Sequence, residues 1–299
     1  MRIPFLALRA FVEVVESGSF TKAANNLFIT QPAVSKSVKE LEALFEIQLI
    51  DRAHNPILLT EAGTSLYKLG KSIFNIENAI IQDLSQRSAV RKGSLYIGAS
   101  TTIASHWLTP FLVTFANQFP EISVSVLSGN SQQIVEQLKA CQIDVGLIEG
   151  PVINEPDVST RQWKKERLVL VASPDLLIKN RLNDLTSFKW VMRENGSGTA
   201  RVTDEYLQRF SIIPQSIIRV GNNLAVLDLV CSGLGIALLP EIMIRERVEL
   251  NQLTKLTTKE IRHSPFIERE LNWITLNWRT ETPVRRVFQQ LLFNESVER

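Results

Sequence analysis

Residues 18–36 read GSFTKAANNLFITQPAVSK, and this segment is the most informative about the fold of the N-terminal part. A short helix is expected after Ser19, a good N-cap, with small buried residues such as Ala23 that allow another helix to approach closely. Thr30 can cap the next helix, which carries Pro32 in its first turn, where a missing N–H costs nothing. The stretch therefore predicts two short helices joined by a tight turn.

The helix after Thr30 has one apolar and one polar face. Val34, Val38 and Leu41 fall on the apolar face, which we expect to pack on an earlier helix. Short or flexible donors and acceptors at a helix start can reach base edges and phosphates in the major groove of DNA. An ordinary three-helix bundle with a solvated polar face is the alternative. The polar face carries Gln31, Pro32, Ser35, Lys36 and Lys39.

A hairpin and a long helix are expected next. Leu49-Ile50-Asp51-Arg52 and Ile57-Leu58-Leu59-Thr60 flank a Pro/Asn turn, which predicts the wing of a winged helix. Arg52 lies where it could contact a phosphate, unless it is merely a solvated partner of Asp51.

From Thr60, its N-cap, a helix is predicted to about Ser88, with apolar residues three and four apart. Nothing before it is large enough to cover this face, so a second copy of the chain is expected to do so; packing on the C-terminal part is the alternative. The residues expected at the dimer contact are Leu66, Leu69, Ile73, Ile76, Ile80 and Leu84.

After a hinge at Arg91-Lys92-Gly93 the pattern alternates strands with helices, which predicts a parallel sheet covered on both faces. Strands are expected at residues 95–98, 122–126, 143–148, 168–172, 190–192, 217–220, 235–239 and 271–276, and a helix at 103–119. With some 200 residues available, two lobes and a cleft are expected.

Composition excludes several classes of protein. The chain has 299 residues, which suggests two or three domains, and its 44% hydrophobic and 21% charged residues are ordinary for a globular protein. No apolar stretch is long enough to span a bilayer and no signal peptide is visible, so a cytoplasmic protein without membrane contact is expected. Cys141 and Cys231 lie in apolar surroundings, which favours buried thiols over a disulfide.

Neither bulk charge nor known catalytic motifs point to a function. Residues 1–90 carry nine basic and nine acidic side chains, so DNA binding must rest on local geometry. His54, His106 and His263 are scattered, so no metal site is expected. The loop Gly196-Ser197-Gly198-Thr199 lacks the lysine that a P-loop requires, and the sequence contains no nucleophile elbow. We therefore predict no catalytic residue, no cofactor and no enzymatic activity.

In this order of segments the chain resembles the LysR-type transcriptional regulators. The motifs that carry the resemblance are Gly18-Ser19-Phe20-Thr21-Lys22-Ala23-Ala24, Thr30-Gln31-Pro32-Ala33-Val34-Ser35-Lys36, Leu59-Thr60-Glu61-Ala62-Gly63, Ile143-Asp144-Val145-Gly146, Gly196-Ser197-Gly198-Thr199 and residues 233–240, GLGIALLP.

The resemblance implies a mixed α and α/β fold in three parts. These are a winged helix-turn-helix domain (1–60), a dimerisation helix (61–90) and a two-lobed effector-binding domain of the periplasmic-binding-protein type (91–299), with lobe I at about 91–161 and 268–299 and lobe II at about 162–267. It also implies a homodimer or homotetramer on promoter DNA, with RNA polymerase as a further partner. The expected DNA-binding residues are Ser19, Thr21, Thr30, Gln31, Pro32, Ser35, Lys36, Lys39 and Arg52.

Three polar segments each follow a predicted strand and begin a predicted helix, which is where open α/β sheets bind their ligands. They are Ser100-Thr101-Thr102, Gly129-Asn130-Ser131 and Gly196-Ser197-Gly198-Thr199. Free backbone N–H groups and hydroxyls at helix N-termini favour an anion, although each segment by itself is more commonly just a cap. Glu149 would repel an anion unless it is paired. The expected effector-binding residues are Ser100, Thr101, Thr102, Asn130, Ser131, Glu149, Gly150, Gly196, Ser197, Gly198, Thr199 and Arg201.

These segments look most like the branch of the family associated with sulfur metabolism, including its sulfite-responsive members. A sulfite-like oxyanion and a small carboxylate both remain open as the effector. Two other classes also remain open: a solute-binding protein whose N-terminal helices are an interaction module, and an enzyme on the same two-lobed scaffold.

Overall fold

The computed structural model describes residues 2–51, 57–86, 93–151, 155–179, 184–258, 261 and 263–294. The chain divides into two compact units, Met1–Ile81 and Gln82–Arg299. The first unit is mainly helical, whereas the second is built on a mixed sheet.

The first unit contains the three helices, hairpin and long helix that the sequence predicts. Strands β1 and β2 pair antiparallel, with Ile50 opposite Leu59. Arg52 and the turn at 53–56 lie outside the described residues. The elements are α1 (Phe5–Ser17), α2 (Phe20–Asn26), α3 (Gln31–Phe45), β1 (Ile50–Asp51), β2 (Leu58–Leu59) and α4 (Glu61–Gln86).

Two of the three predicted helix caps are confirmed. The Ser19 hydroxyl accepts from the Lys22 N–H at 3.4 Å, and the Thr60 hydroxyl accepts from the Gly63 N–H at 3.0 Å. Thr30 occupies the N-cap position of α3, but its hydroxyl makes no cap hydrogen bond. The reason is that Pro32 has no N–H to offer, and the Ala33 N–H bonds the Thr30 carbonyl oxygen instead.

The hairpin is held against both α3 and α4. The Glu42 carboxylate accepts from the backbone N–H groups of Leu49 at 3.0 Å and Ile50 at 3.3 Å. On the other side Gly63 is required, because a Cβ there would lie 2.0 Å from the Leu49 carbonyl oxygen. The wing strands therefore have a fixed position relative to the helix that we expect to read DNA.

The second unit joins two parallel half-sheets through a pair of long antiparallel strands. The strand order is β4-β3-β5-β11-β6-β9-β7-β8, and β10 pairs with β6. The strands are β3 (Gly93–Ser100), β4 (Ile122–Gly129), β5 (Val145–Glu149), β6 (Val158–Ala172), β7 (Lys189–Arg193), β8 (Ser216–Val220), β9 (Ile236–Pro240), β10 (Thr254–Lys255) and β11 (Phe266–Leu276).

The helices of this unit include two short irregular ones. A π-helix at Ile103–Trp107 precedes α5, so the single predicted helix at 103–119 is wrong, and a 3-10 turn spans Leu185–Ser187. The α-helices are α5 (Thr109–Gln118), α6 (Ser131–Lys139), α7 (Pro174–Lys179), α8 (Gly198–Arg209), α9 (Asn223–Cys231), α10 (Glu241–Glu249) and α11 (Pro283–Asn294).

The prediction of an all-parallel sheet is wrong at its centre. Strands β6 and β11 pair antiparallel from Val158 to Val169, with a register shift between Leu271 and Asn272. They link two apolar cores, one around Phe115 and one around Trp190, and we call the parts of the unit that hold these cores lobe I and lobe II. No helix among the described residues is long and apolar enough to cross a membrane.

Candidate functional site

Side chains from both lobes meet at the carboxyl ends of the strands. Ser100 ends β3 and Glu149 ends β5 in lobe I, while Thr199 lies in the first turn of α8 in lobe II. The Ser100 hydroxyl donates to Glu149 Oε1 at 3.0 Å, and the Thr199 hydroxyl donates to Glu149 Oε2 at 3.2 Å. The structure thus brings together residues that the sequence predicts to be in one site, with Glu149 at its centre.

Glu149 is buried, with only 2% of its surface exposed, and its carboxylate is surrounded by protein hydrogen-bond donors. Arg269 Nη1 donates to Glu149 Oε2 at 2.6 Å. Burial raises the pKa of the Glu149 carboxyl, but Arg269 and the hydroxyls of Thr102 and Ser100 outweigh it and hold the pKa below its ordinary value. The hydroxyls that we expected to receive an external anion therefore already bind the protein's own carboxylate.

Arg269 links this cluster to the strands between the lobes. It stands opposite Glu166 in the β6–β11 pair, and its Nε donates to Glu166 Oε2 at 2.8 Å. Trp107 Nε1 donates to the other oxygen of Glu166 at 2.9 Å. Sequence reasoning missed Arg269 and Glu166, because their segments lack the apolar run of a buried strand and nothing in the sequence indicates their pairing.

Further backbone contacts close the junction between the lobes. The Gln132 N–H at the start of α6 donates to the Gly196 carbonyl oxygen at 3.1 Å. The Ser131 hydroxyl accepts from the Glu149 N–H at 3.2 Å. Gly198 is required here, because a Cβ would lie 2.4 Å from the Glu149 carbonyl oxygen.

A cavity of about 400 Å³, which we call the Arg201 cavity, lies beside this junction. Arg201 Nη2 donates to the Glu149 carbonyl oxygen at 3.0 Å, and burial lowers the pKa of the guanidinium. Arg201 Nε is buried and has no hydrogen-bond partner among the described residues. Gly150 adjoins it, with a positive φ of 76°. The cavity is lined by Ser131, Gln132, Val135, Ile148, Pro151, Glu155, Asn195, Gly196, Ser197, Ala200, Arg201 and Asp204.

Arg193, a buried arginine near the predicted anion site, is also already paired. Its Nε donates to Glu194 Oε2 at 2.7 Å, and its Nη1 contacts the Thr101 hydroxyl at 3.4 Å. Asn130 caps α6 and also donates to Glu194 Oε1 at 3.2 Å. Thr101 and Asn130 therefore belong to a polar bridge around Glu194 rather than to the wall of the Arg201 cavity.

A second cavity, of about 470 Å³, includes Thr102 and Asn223 in its wall; we call it the Asn223 cavity. Burial lowers the pKa of His106, which lies in its wall, so this imidazole is neutral near pH 7. Of the residues that line this cavity, only Thr101 and Thr102 are among the effector-binding residues that the sequence predicts. The cavity is lined by Thr101, Thr102, Ser105, His106, Asn222, Asn223, Leu224, Leu227, Met243, Glu246 and Arg247.

In the first unit the described DNA-binding candidates lie on or just before α2 and α3, and most of them are exposed. Thr21, Thr30, Gln31, Pro32, Lys36 and Lys39 are exposed, whereas Ser19 and Ser35 are half-buried. Lys36 lies 3.9 Å from Glu40 in an exposed ion pair, which is too weak to hold it away from a phosphate.

The long helix α4 leaves most of its predicted dimer face exposed. Leu69 is 65% exposed, and Ile73, Ile76, Ile80 and Leu84 are exposed as well. Leu66 differs, because it is half-buried against the apolar core of its own unit.

Possible metal ligands and the two thiols give no further candidate site in the part of the chain that the structure describes. No cluster of histidine, cysteine and carboxylate side chains suited to a metal ion occurs among the described residues. Both cysteines are free thiols; Cys141 is buried, while Cys231 is only half-buried. Burial raises the pKa of each, which disfavours the reactive thiolate.

Comparison with known proteins identifies both parts of the chain. Residues 5–64 match the family model described as a bacterial regulatory helix-turn-helix protein of the lysR family, and residues 88–295 match the LysR substrate binding domain. The HTH-type transcriptional regulator CysL of Bacillus subtilis is 31% identical over 278 residues, which cover 89% of this chain and 92% of that protein.

Solved structures of regulators share the fold. CbnR complexed with its target DNA aligns with a TM-score of 0.68 at 22% identity, covering 98% of this chain and 100% of that one. The regulatory domain of CcmR from Synechocystis, in complex with 2-PG, aligns with a TM-score of 0.60 at 22% identity, covering 68% of this chain and 97% of that one. The matched families and relatives are regulators rather than enzymes, and the chain belongs to the LysR family of DNA-binding transcriptional regulators with an effector-binding domain.

Proposed function

We propose that this regulator responds to a small anion bound in the Arg201 cavity. The observation that carries the proposal is that Arg201, a half-buried guanidinium, lines one cavity together with the N-terminal ends of α6 and α8. A guanidinium donates charge-assisted hydrogen bonds to an oxyanion.

The surroundings of Arg201 support a small anion. Ser131 and Ser197 line the same cavity and stand at the N-termini of α6 and α8, where backbone dipoles favour negative charge. Glu155 and Asp204 also line it, which disfavours large, highly charged anions. A sulfite-like oxyanion and a small carboxylate both fit these constraints.

The anion would act by favouring one arrangement of the lobes. An effector shifts a conformational equilibrium only if it binds one state more tightly than the other. Arg201 in lobe II reaches the Glu149 carbonyl in lobe I, so an anion on Arg201 changes a contact between the lobes. We propose that the protein is a cytoplasmic homodimer or homotetramer joined through α4. The change at Arg201 would alter how this oligomer places its helix-turn-helix domains on promoter DNA, and RNA polymerase would be a further partner there.

The predicted DNA contacts complete the proposal. Gln31, Pro32, Ser35, Lys36 and Lys39 would face the major groove, with Ser19, Thr21 and Thr30 near the backbone. Exposure of most of this set supports the assignment, while Arg52 remains a prediction because it lies outside the described residues.

The test is a thermal-shift screen of the full chain against sulfite, sulfate, thiosulfate, phosphate and small carboxylates, since binding to the folded state raises its apparent stability. Arg201→Gln should weaken binding of the responding anion roughly thirtyfold, the equivalent of about 2 kcal/mol for a charged hydrogen bond. Arg209→Gln, on an exposed turn of the same helix, is the matched control. An unchanged response in Arg201→Gln, or no response to any anion, would refute the proposal.

A further inference from the structure

Helix α4 has a buried stripe beside the exposed one that we expect at the dimer contact. Gly70 and Phe74 belong to the buried stripe. The exposed residues Leu69 and Ile73 each stand one position earlier in the chain, so the two stripes lie about 100° apart around the helix axis. One side of α4 is therefore already occupied within its own unit, while the adjacent side is free for a second copy.

Helix α1 packs on the buried stripe at close range. A Cβ at position 70 would lie 3.0 Å from Leu8 Cδ1 and 3.0 Å from Val12 Cγ2. Apart from proline, glycine is the least favourable residue for a helix interior, and Gly70 lies well inside a helix of 26 residues. The close approach of α1 explains why glycine stands there.

Two ion pairs join α1 to α4 at different points along both helices. Arg9 pairs with Glu77, and its guanidinium carbon lies 4.4 Å from the centroid of the Phe74 ring. Further along, Lys71 Nζ lies 2.6 Å from Glu16 Oε1. Contacts at two separate points restrain the crossing angle of the two helices as well as their distance.

Another face of α1 packs on α3, the helix that we expect to read DNA. Phe11 and Val14 of α1 are fully buried, in one apolar core with Val34 and Val38 of α3. Helix α1 thus connects the reading helix to α4. A shift of α1 on α4 would move α3 relative to the exposed stripe of α4.

We infer that the α1–α4 contact, formed by Arg9, Gly70, Phe74 and Glu77, sets the distance and rotation between the two reading helices of a dimer, and hence the spacing of the DNA half-sites that it recognises. Arg9 and Gly70 are positioning residues in this role, because they act on DNA only through α1 and α3. The inference rests on the proposed dimer through α4.

The strength of this contact limits how sharply the dimer discriminates between spacings. One extra base pair displaces a half-site by about 3.4 Å and rotates it by about 35°. The dimer must then either lose DNA contacts at one half-site or break the α1–α4 contact to reach both. It adopts whichever costs less, so a weaker contact gives a weaker preference for one spacing.

The test measures this preference directly. Half-sites are obtained by selecting duplexes that the full chain binds from a random-sequence library, and duplexes with one base pair added or removed between the half-sites are titrated by fluorescence anisotropy. Arg9→Met keeps a long side chain but removes the guanidinium. The ratio of affinities for the best and the lengthened spacing should fall roughly 3- to 30-fold, the combined strength of an exposed ion pair and a cation–π contact.

A second variant and a matched control separate positioning from stability. Gly70→Ala favours the helix but pushes α1 away from α4, so it should lower the same ratio. In both variants the affinity for a duplex with a single half-site should not change. Arg167→Met, in the second unit, should leave the ratio unchanged, although Arg167 likewise pairs with a carboxylate, Glu268, at 3.2 Å and lies 4.9 Å from the centroid of the Phe266 ring.

Several results would overturn the inference. They are an unchanged ratio in Arg9→Met or in Gly70→Ala, an equal loss of affinity for paired and single half-sites, and a variant that sediments as a monomer. With paired half-sites selected by wild-type protein, each of these results refutes only the positioning role. Selection of single half-sites by wild-type protein would refute the proposed dimer as well.

Discussion

Replacing Glu149 by alanine tests the idea that the junction between the lobes is organised around an internal anion. The carboxylate binds Arg269 and the hydroxyls of Ser100 and Thr199, and both members of the ion pair are almost fully buried. Breaking a buried pair by removing one partner costs about 3–5 kcal/mol. Arg269 keeps Glu166 as a partner, so we expect the lower end, about 3 kcal/mol.

A loss of this size is readily measured by thermal unfolding. For a domain of this size it corresponds to a decrease in Tm of about 6–12 °C. The alanine variant should also be rescued by formate or acetate, which can occupy the vacated space and accept the same hydrogen bonds, whereas chloride at equal ionic strength should do less. Wild-type protein should show no such difference between the salts.

The pH dependence has a defined sign. Because the folded-state pKa of Glu149 lies below its ordinary value of 4.5, its stabilisation is fully present above about pH 4.5 and is lost as the pH falls through the lower, folded-state pKa. The difference in Tm between wild type and Glu149→Ala should therefore shrink in acid. A variant as stable as wild type at pH 7, or one that formate does not stabilise beyond chloride, would contradict the assignment of Glu149 as an internal anion.

Two further predictions concern the DNA-binding and dimerisation surfaces. Lys36→Ala should weaken operator binding, measured by fluorescence anisotropy, and should reduce the slope of log affinity against log salt concentration by about 0.9. The control Lys68→Ala on α4 should leave the slope unchanged. An unchanged slope in Lys36→Ala would mean that Lys36 does not contact a phosphate. Ile80→Glu should raise the dimer Kd at least about tenfold in sedimentation experiments, because a charge would be buried in an apolar contact. The exposed Leu250→Glu should not, and an unaffected dimer in Ile80→Glu would refute the proposed interface.

The elements of the first unit could be predicted because local signals agree there. Apolar residues recur at helical spacing, Ser19 and Thr60 cap helices, and Pro32 stands in a first turn. Such signals involve residues close together in the chain, so they can be recognised from a single sequence. The missing cap bond at Thr30 shows the limit, since it depends on which backbone N–H groups are free.

The candidate site was predicted only in part, because its chemistry depends on pairs distant in sequence. The polar segments after strands β3, β4 and β7 are recognisable from their order along the chain. Arg269 is 120 residues from Glu149 and 103 from Glu166, and no local pattern indicates that they meet. Strand β6 begins ten residues before the predicted strand at 168–172, because its first half is largely exposed and lacks an apolar run.

The direction of hydrogen bonds explains why a cluster rich in hydroxyl groups offers few donors to an anion. Glu149 consumes the protons of Ser100, Thr102 and Thr199, so these hydroxyls offer no donors to a ligand. Donors for an anion must then come from Arg201, which lies beside the cluster. Loss of the Glu149 charge would free these hydroxyl protons, so Glu149→Gln should tighten binding of the responding anion in the thermal-shift screen without any change in the wall of the Arg201 cavity. Unchanged or weaker anion binding in Glu149→Gln would mean that the Glu149 carboxylate does not limit the donors that are available to the anion.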